Sequence, residues 1–112
     1  MKFNDYQVAA RVTARADMPS LSTPQARMLN WALGLSGETG ELNDHIKKHI
    51  FHGHDLDIDY VVKELGDIMW YVANMAHEVD RSLESVADTN IDKLKNRYGG
   101  EFSIEASINR EQ

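Results

Sequence analysis

Two acidic stretches, Gly37-Glu38-Thr39-Gly40-Glu41 and Glu64-Leu65-Gly66-Asp67, each carry two carboxylates three residues apart. On an α-helix that spacing is about 4.5 Å of rise and roughly 300 degrees of rotation, so the carboxylates of each pair share a face. One such pair alone reads as a solvated face, but here each borders an apolar stripe. Four carboxylates gathered without a counter-ion repel one another and take up protons, and a multivalent cation relieves both effects. All-oxygen donors select Mg²⁺, Mn²⁺ or Ca²⁺ over zinc. A carboxylate-bridged di-iron site needs Glu-x-x-His on two helices. The third residue after Glu38 is Glu41 and after Glu64 is Asp67, so iron is the weaker reading. His45, His49, His52, His54 and His77 read as packing, capping or surface residues, with His45, on the acidic stripe, nearest to a ligand position.

The elements that must position these acids follow from periodicity and punctuation. Asn4 with Gln7 three residues later reads as the cap of a first helix reaching about Asp17, stopped by Met18-Pro19, and Pro19 to Leu21 reads as a loop. Thr23 before Pro24 starts a second helix that runs to about Phe51, with Met28, Trp31, Leu35, Leu42, Ile46 and Ile50 on its core face. Gly34, Gly37 and Gly40 interrupt it, each at about 1 kcal/mol relative to alanine. Gly37, Gly40 and Gly66 directly precede carboxylates, which suggests close backbone approach there. A third helix is expected from about Asp59 to Asp80, the most deeply buried of the set, and a fourth from the Ser82 cap to about Arg97, ended by Gly99-Gly100. Residues 99–112 read as a tail or an arm onto a neighbouring subunit. No strand alternation competes, and the expected fold is all-α, a bundle of four to five helices in one domain over 1–112.

Placing residues at 100 degrees apiece separates two polar populations. Glu38, Glu41, His45 and Lys48 form one stripe beside the apolar face of the second helix, and Glu64, Asp67, Tyr71 and Glu78 form another on the third. On the fourth helix Asn90, Lys93 and Arg97 overlap the Leu83, Val86 and Leu94 face, while Glu84, Asp88, Asp92 and Lys95 point away. A cation on the acids together with Asn90, Lys93 and Arg97 is the equipment for a polyphosphate. Trp31, beside the acidic stripe, has two readings: a nucleobase-stacking platform or a core residue.

Composition bounds the classes. The formal charge of −6 disfavours nucleic-acid binding through a broad basic surface. Zero cysteines remove disulfides, thiolate catalysis and cysteine zinc sites. No apolar run approaches the roughly 20 residues of a membrane span, and the polar start is no signal peptide, so the expected location is the cytoplasm. A chain of 112 residues holds one core, and oligomerisation would extend it.

The ordered segments Gly34-Leu35-Ser36-Gly37-Glu38-Thr39-Gly40-Glu41-Leu42, Lys63-Glu64-Leu65-Gly66-Asp67-Ile68-Met69-Trp70-Tyr71 and Asn90-Ile91-Asp92-Lys93-Leu94-Lys95-Asn96-Arg97-Tyr98 together resemble the MazG-like nucleotide pyrophosphohydrolases of the all-α nucleoside triphosphate pyrophosphatase superfamily. The resemblance spans about Met28 to Phe102. It implies a helical bundle assembled as a homodimer or a dimer of dimers, and Mg²⁺-dependent hydrolysis of a nucleoside triphosphate to monophosphate and pyrophosphate, with Mn²⁺ a possible substitute. By motif position it implies metal ligands at Glu38, Glu41, Glu64 and Asp67 and phosphate or sugar contacts at Asn90, Lys93 and Arg97. Many members begin the first motif with two adjacent glutamates; here the first of those positions is Gly37, and four carboxylates remain.

For attack at the α-phosphorus, one carboxylate not fully engaged by metal takes the proton of water, with Glu41 the first choice. Lys93 and Arg97, joined by Lys48, balance charge on the leaving pyrophosphate. The rival reading is a non-catalytic helical module in which the acids hold a structural ion or a basic partner; inward lysine and arginine argue against it.

Overall fold

The structure, a computed structural model, describes residues 1–15, 17–98 and 108. Four α-helices follow one another: α1 (Phe3–Val12), α2 (Pro24–Phe51), α3 (Ile58–Glu78) and α4 (Leu83–Tyr98), with a 3₁₀ turn at Pro19–Leu21. No strand occurs among the described residues, so the fold is all-α. The expected Gly99-Gly100 stop and, apart from Ile108, the expected arm lie outside the described residues.

Thr23 starts α2 by accepting the Ala26 N–H at 3.1 Å, with Pro24 in the first helical turn, where its missing N–H is not needed. Asp57 does the same for α3, accepting the Tyr60 N–H at 3.0 Å. Asn4 departs from expectation. It lies inside α1, and its Oδ1 accepts the Glu84 N–H at 3.1 Å, while Gln7 Oε1 accepts the Leu83 N–H at 2.9 Å. Both side chains therefore satisfy orphan donors at the start of α4 instead of their own helix. Helix α1 also ends earlier than expected, at Val12, with Arg15 in the left-handed region at φ 53.

Helices α2 and α3 form the spine. Contacts between them run in antiparallel order: Arg27 and Trp31 meet Glu78, Gly34 meets Tyr71, and His45 meets Tyr60. Helix α1 lies across α3, with Gln7 Nε2 donating to the Ala73 carbonyl at 3.3 Å and Trp70 Nε1 donating to Thr13 Oγ1 at 2.8 Å. Helix α4 packs on α1 and α3 and not on α2.

The core is small: Ala10, Ala73 and Leu83, with Tyr6, Trp70 and Val72 packed against them. As expected, α3 carries the most buried positions, among them Glu64, Ala73, Asn74 and Ala76. Elsewhere the expected core faces stay open. Met28 and Ile50 of α2, Leu65 and Met69 of α3, and Ile91 and Leu94 of α4 are exposed, because the described residues supply no second layer over them.

One end of the spine is closed by a buried ion pair. Arg27 Nε donates to both oxygens of Glu78 at 2.9 and 3.0 Å, its Nη1 donates to the Leu21 carbonyl at 2.9 Å, and Trp31 Nε1 donates to Glu78 at 3.2 Å. Burial opposes ionisation of Glu78, but the Trp31 and Arg27 hydrogen bonds and the Arg27 charge outweigh it and hold the carboxyl below its usual range. A carboxylate depressed in this way stabilises the fold above its unfolded value of 4.5 and loses that contribution as pH falls through the folded one.

Arg27→Met should lower the unfolding free energy by about 3 kcal/mol, since it strands a buried carboxylate, and the denaturant midpoint should show it. Adding Glu78→Gln to that variant should recover part of the loss. The glycines divide. A Cβ at Gly34 would overlap Cε1 and Cζ of Tyr71, whereas at Gly37, Gly40 and Gly66 it would meet nothing within 4 Å. Among the described residues, close approach therefore applies to Gly34 and not to the three glycines that precede the carboxylates. Gly34→Ala should destabilise by about 1 to 3 kcal/mol by displacing Tyr71, and Gly37→Ala should stabilise by up to ~1 kcal/mol through helix propensity. Paired chemical denaturation curves check both signs.

Candidate active site

Antiparallel packing brings the first acidic pair, on α2, against the second, on α3. One oxygen each from Glu38, Glu41 and Glu64 lies within 4.8 Å of the others, and no histidine belongs to the group. Glu64 is only 6% exposed, and its Oε2, like Oε2 of Glu38, is buried without a hydrogen-bond partner. Orphaned buried carboxylate oxygens facing one another are the donor set of a hard cation, so the residues fit Mg²⁺ or Mn²⁺. Asp67 stands apart from the converging three, yet its charge reaches Glu38, Tyr71 and Tyr6.

Electrostatics follow from this crowding. A hydrogen bond shared with Glu64, loss of solvent, and the charges of Glu64 and Asp67 push the Glu38 carboxyl up to about 7 from 4.5, while a hydrogen bond with Glu41 pulls the other way. Two tyrosines of α3 flank the acids. Burial, then the charges of Glu38, Asp67 and Glu41, raise the Tyr71 hydroxyl; burial, then Glu64, Glu41, Glu38 and Asp44, raise that of Tyr60. Both phenols stay protonated at neutral pH as donors. Tyr71 stands on the expected stripe. Tyr60 was missed, although its place four residues before Glu64 puts it on the same face, one turn back.

The remaining expected residues divide. Lys48 sits at one end of the α2 stripe, its Nζ 2.8 Å from Asp44 Oδ2. His45 lies outside the acid group, its Nε2 accepting the Asp57 N–H at 3.1 Å, and His49 Nδ1 lies 2.8 Å from the His54 carbonyl. Trp31 is core, 1% exposed, with its N–H engaged by Glu78 and its ring 5.6 Å from that of Trp70, so no face remains for a nucleobase. Glu78, expected on the acidic stripe, is taken up by Arg27 instead. Asn90, Lys93 and Arg97 do not face the bundle within the chain. Asn90 and Lys93 are exposed and Arg97 half-buried, because α4 buries only Leu83 and makes no packing contact with α2.

Comparison with known proteins bears on this geometry. The family model of the MazG nucleotide pyrophosphohydrolase domain matches residues 27–102, from the Arg27 clasp through both acidic pairs to the end of α4. The chain is also similar to the Gene 37 protein of Mycobacterium phage L5, at 36% identity over 106 residues, covering 87% of this chain and 89% of the relative. No solved structure matches.

The raised Glu38 carboxyl fixes the sign of a pH effect. Between about 4.5 and about 7 the folded state holds a proton that the unfolded state gives up, so this group's stabilisation is full below 4.5 and is lost as pH rises through 7. A cation competes for the same oxygens. The melting shift caused by saturating Mg²⁺ should therefore grow from pH 5.5 to pH 8.5, as followed by paired melts with and without the ion. A shift independent of pH would separate the ion from Glu38.

Proposed function

The chain belongs to the MazG nucleotide pyrophosphohydrolase family, and from that membership we propose that it hydrolyses a ribo- or deoxyribonucleoside triphosphate to the monophosphate and pyrophosphate with Mg²⁺, serving to clear the nucleotide pool. The observation that carries this reading is the convergence of Glu38, Glu41 and Glu64 with buried, unpartnered oxygens. These three residues, completed by Asp67, would hold the cation, which when bound lowers the pKa of water and neutralises phosphate charge.

The chain's own groups do the rest. Glu64, buried and fixed on α3, orients the site, and Glu41, the most exposed of the three, is the carboxylate least fully engaged by the cation and accepts the proton of the attacking water. Lys48, Lys93 and Arg97 balance phosphate charge, and Asn90 adds an amide donor. Since α4 does not reach α2 within the chain, Asn90, Lys93 and Arg97 act on the site of a second copy in a homodimer or homotetramer. That assembly would also cover the exposed apolar faces of α2, α3 and α4.

A panel of nucleoside triphosphates with Mg²⁺, resolved by product chromatography, should yield monophosphate and pyrophosphate, with ¹⁸O from water in the monophosphate. Diphosphate with orthophosphate would overturn attack at the α-phosphorus. Glu64→Gln should lower turnover on the order of a hundredfold or more, while the metal-free protein at pH 8 keeps or gains stability because a neutral amide relieves the repulsion with Glu38.

A further inference from the structure

His45 and Tyr60 form a built pair at one end of the acidic cluster. The antiparallel register places Gly34 beside Tyr71, then Glu38 beside Glu64, then His45 beside Tyr60, whose ring centroids lie 4.8 Å apart. The two ends, at Gly34 and His45, are separated by about 16 Å along α2, with the carboxylates between them. They differ in chemistry. At the Gly34 end the Tyr71 ring packs against Gly34 and stands edge-on to Trp70 at 5.0 Å, which offers an aromatic wall and a single hydroxyl.

At the other end three donors gather. His45 Nε2 is occupied as the acceptor of the Asp57 N–H, which leaves Nδ1 as the ring nitrogen that provides an N–H donor. The Tyr60 hydroxyl has no hydrogen-bond partner among the described residues, and burial and the neighbouring acids keep it protonated. The Lys48 ammonium lies one helical turn beyond His45, half-exposed and held by Asp44. All three side chains are partly open to solvent. Their donors adjoin carboxylates that repel an anion, so they serve an anion only when the cation sits between.

We propose that this end binds the departing pyrophosphate, with the Tyr60 hydroxyl, the His45 Nδ1–H and the Lys48 ammonium donating to its oxygens, and that the Tyr71 end takes the nucleoside. The assignment rests on the triphosphate reading above and gives it a direction. Pyrophosphate carries the larger share of negative charge and is bound where donors are concentrated. The nucleoside monophosphate carries the apolar surface and meets the aromatic wall.

Calorimetric titration with Mg²⁺ tests the direction, using inorganic pyrophosphate in one arm and each of the four deoxynucleoside monophosphates in the other. Tyr60→Phe keeps the ring against His45 and removes one donor. It should weaken pyrophosphate binding about tenfold and change monophosphate binding less than about twofold. Lys48→Met, at a half-exposed position where folding is not at stake, should show the same asymmetry. His45→Gln, whose amide both accepts and donates, should retain more pyrophosphate affinity than His45→Leu. Equal weakening in both arms, loss confined to the monophosphates, or no change would overturn the assignment. Failure of the wild-type protein to cleave any triphosphate would sink the parent reading separately, since the pyrophosphate titration needs no turnover.

Discussion

Repulsion between Glu38 and Glu64 is the constraint on which the rest of the structure depends. Their carboxyls are close enough to share a proton, one on each helix of the spine, and Glu41 and Asp67 add charge to the same place. Left alone, such a contact would drive α2 and α3 apart. It is held at both ends instead. Toward the start of α2, Arg27 and Trp31 are bonded to Glu78 at the end of α3; toward its finish, His45 receives the N–H of Asp57 at the start of α3. A pair of antiparallel helices pinned at both ends can keep like charges together in the middle, where a cation is the natural relief.

Much of this was legible in the sequence. Thr23-Pro24 and the run to Phe51 give α2 its bounds, and Ser82 marks the start of α4, because capping and proline chemistry act locally. The acidic pairs were legible because helical spacing fixes their face. Features decided by tertiary contacts were not. Asn4 has the chemistry of a cap, and a cap is what it is, but for α4, some 80 residues away in sequence. Gly34, Gly37 and Gly40 look alike in the chain, yet only Gly34 meets an aromatic ring. Periodicity marks Met28, Ile50, Ile91 and Leu94 as apolar faces without saying whether the chain itself covers them.

Helix α4 shows the same limit with a functional edge. Leu83 is buried, while positions 88 to 96 are all exposed, Ile91 and Leu94 among them. Asn90, Leu94 and Arg97 share one side of the helix, with Lys93 at its edge, so apolar and basic residues stand together there. Leu94 lies between Asn90 and Arg97 on that side, whereas Ile91 and Lys93, two residues apart, point to opposite sides, so whatever covers Leu94 also meets Asn90 and Arg97. In the proposed oligomer one contact therefore builds the interface and delivers phosphate-binding groups, which explains why polar and apolar positions overlap on this helix instead of separating into two faces.

The acids of α3 are distinguished by what the chain provides for them. Glu64, Asp67 and Glu78 recur along one helix, and from spacing alone they form a single stripe. Glu78 receives a guanidinium and an indole N–H from α2, and its ionisation becomes part of folding. Glu64, more deeply buried, meets only other carboxylates and keeps an oxygen without a partner. Burying a charge without a partner costs several kcal/mol, so an unpaired buried acid survives only where something from outside compensates it. Among the described residues, Arg27 at one acid and no such cation at the other separate an acid that closes the fold from one whose charge the fold leaves uncompensated. Trp31, by siding with Glu78, belongs to the first of these and not to the nucleotide.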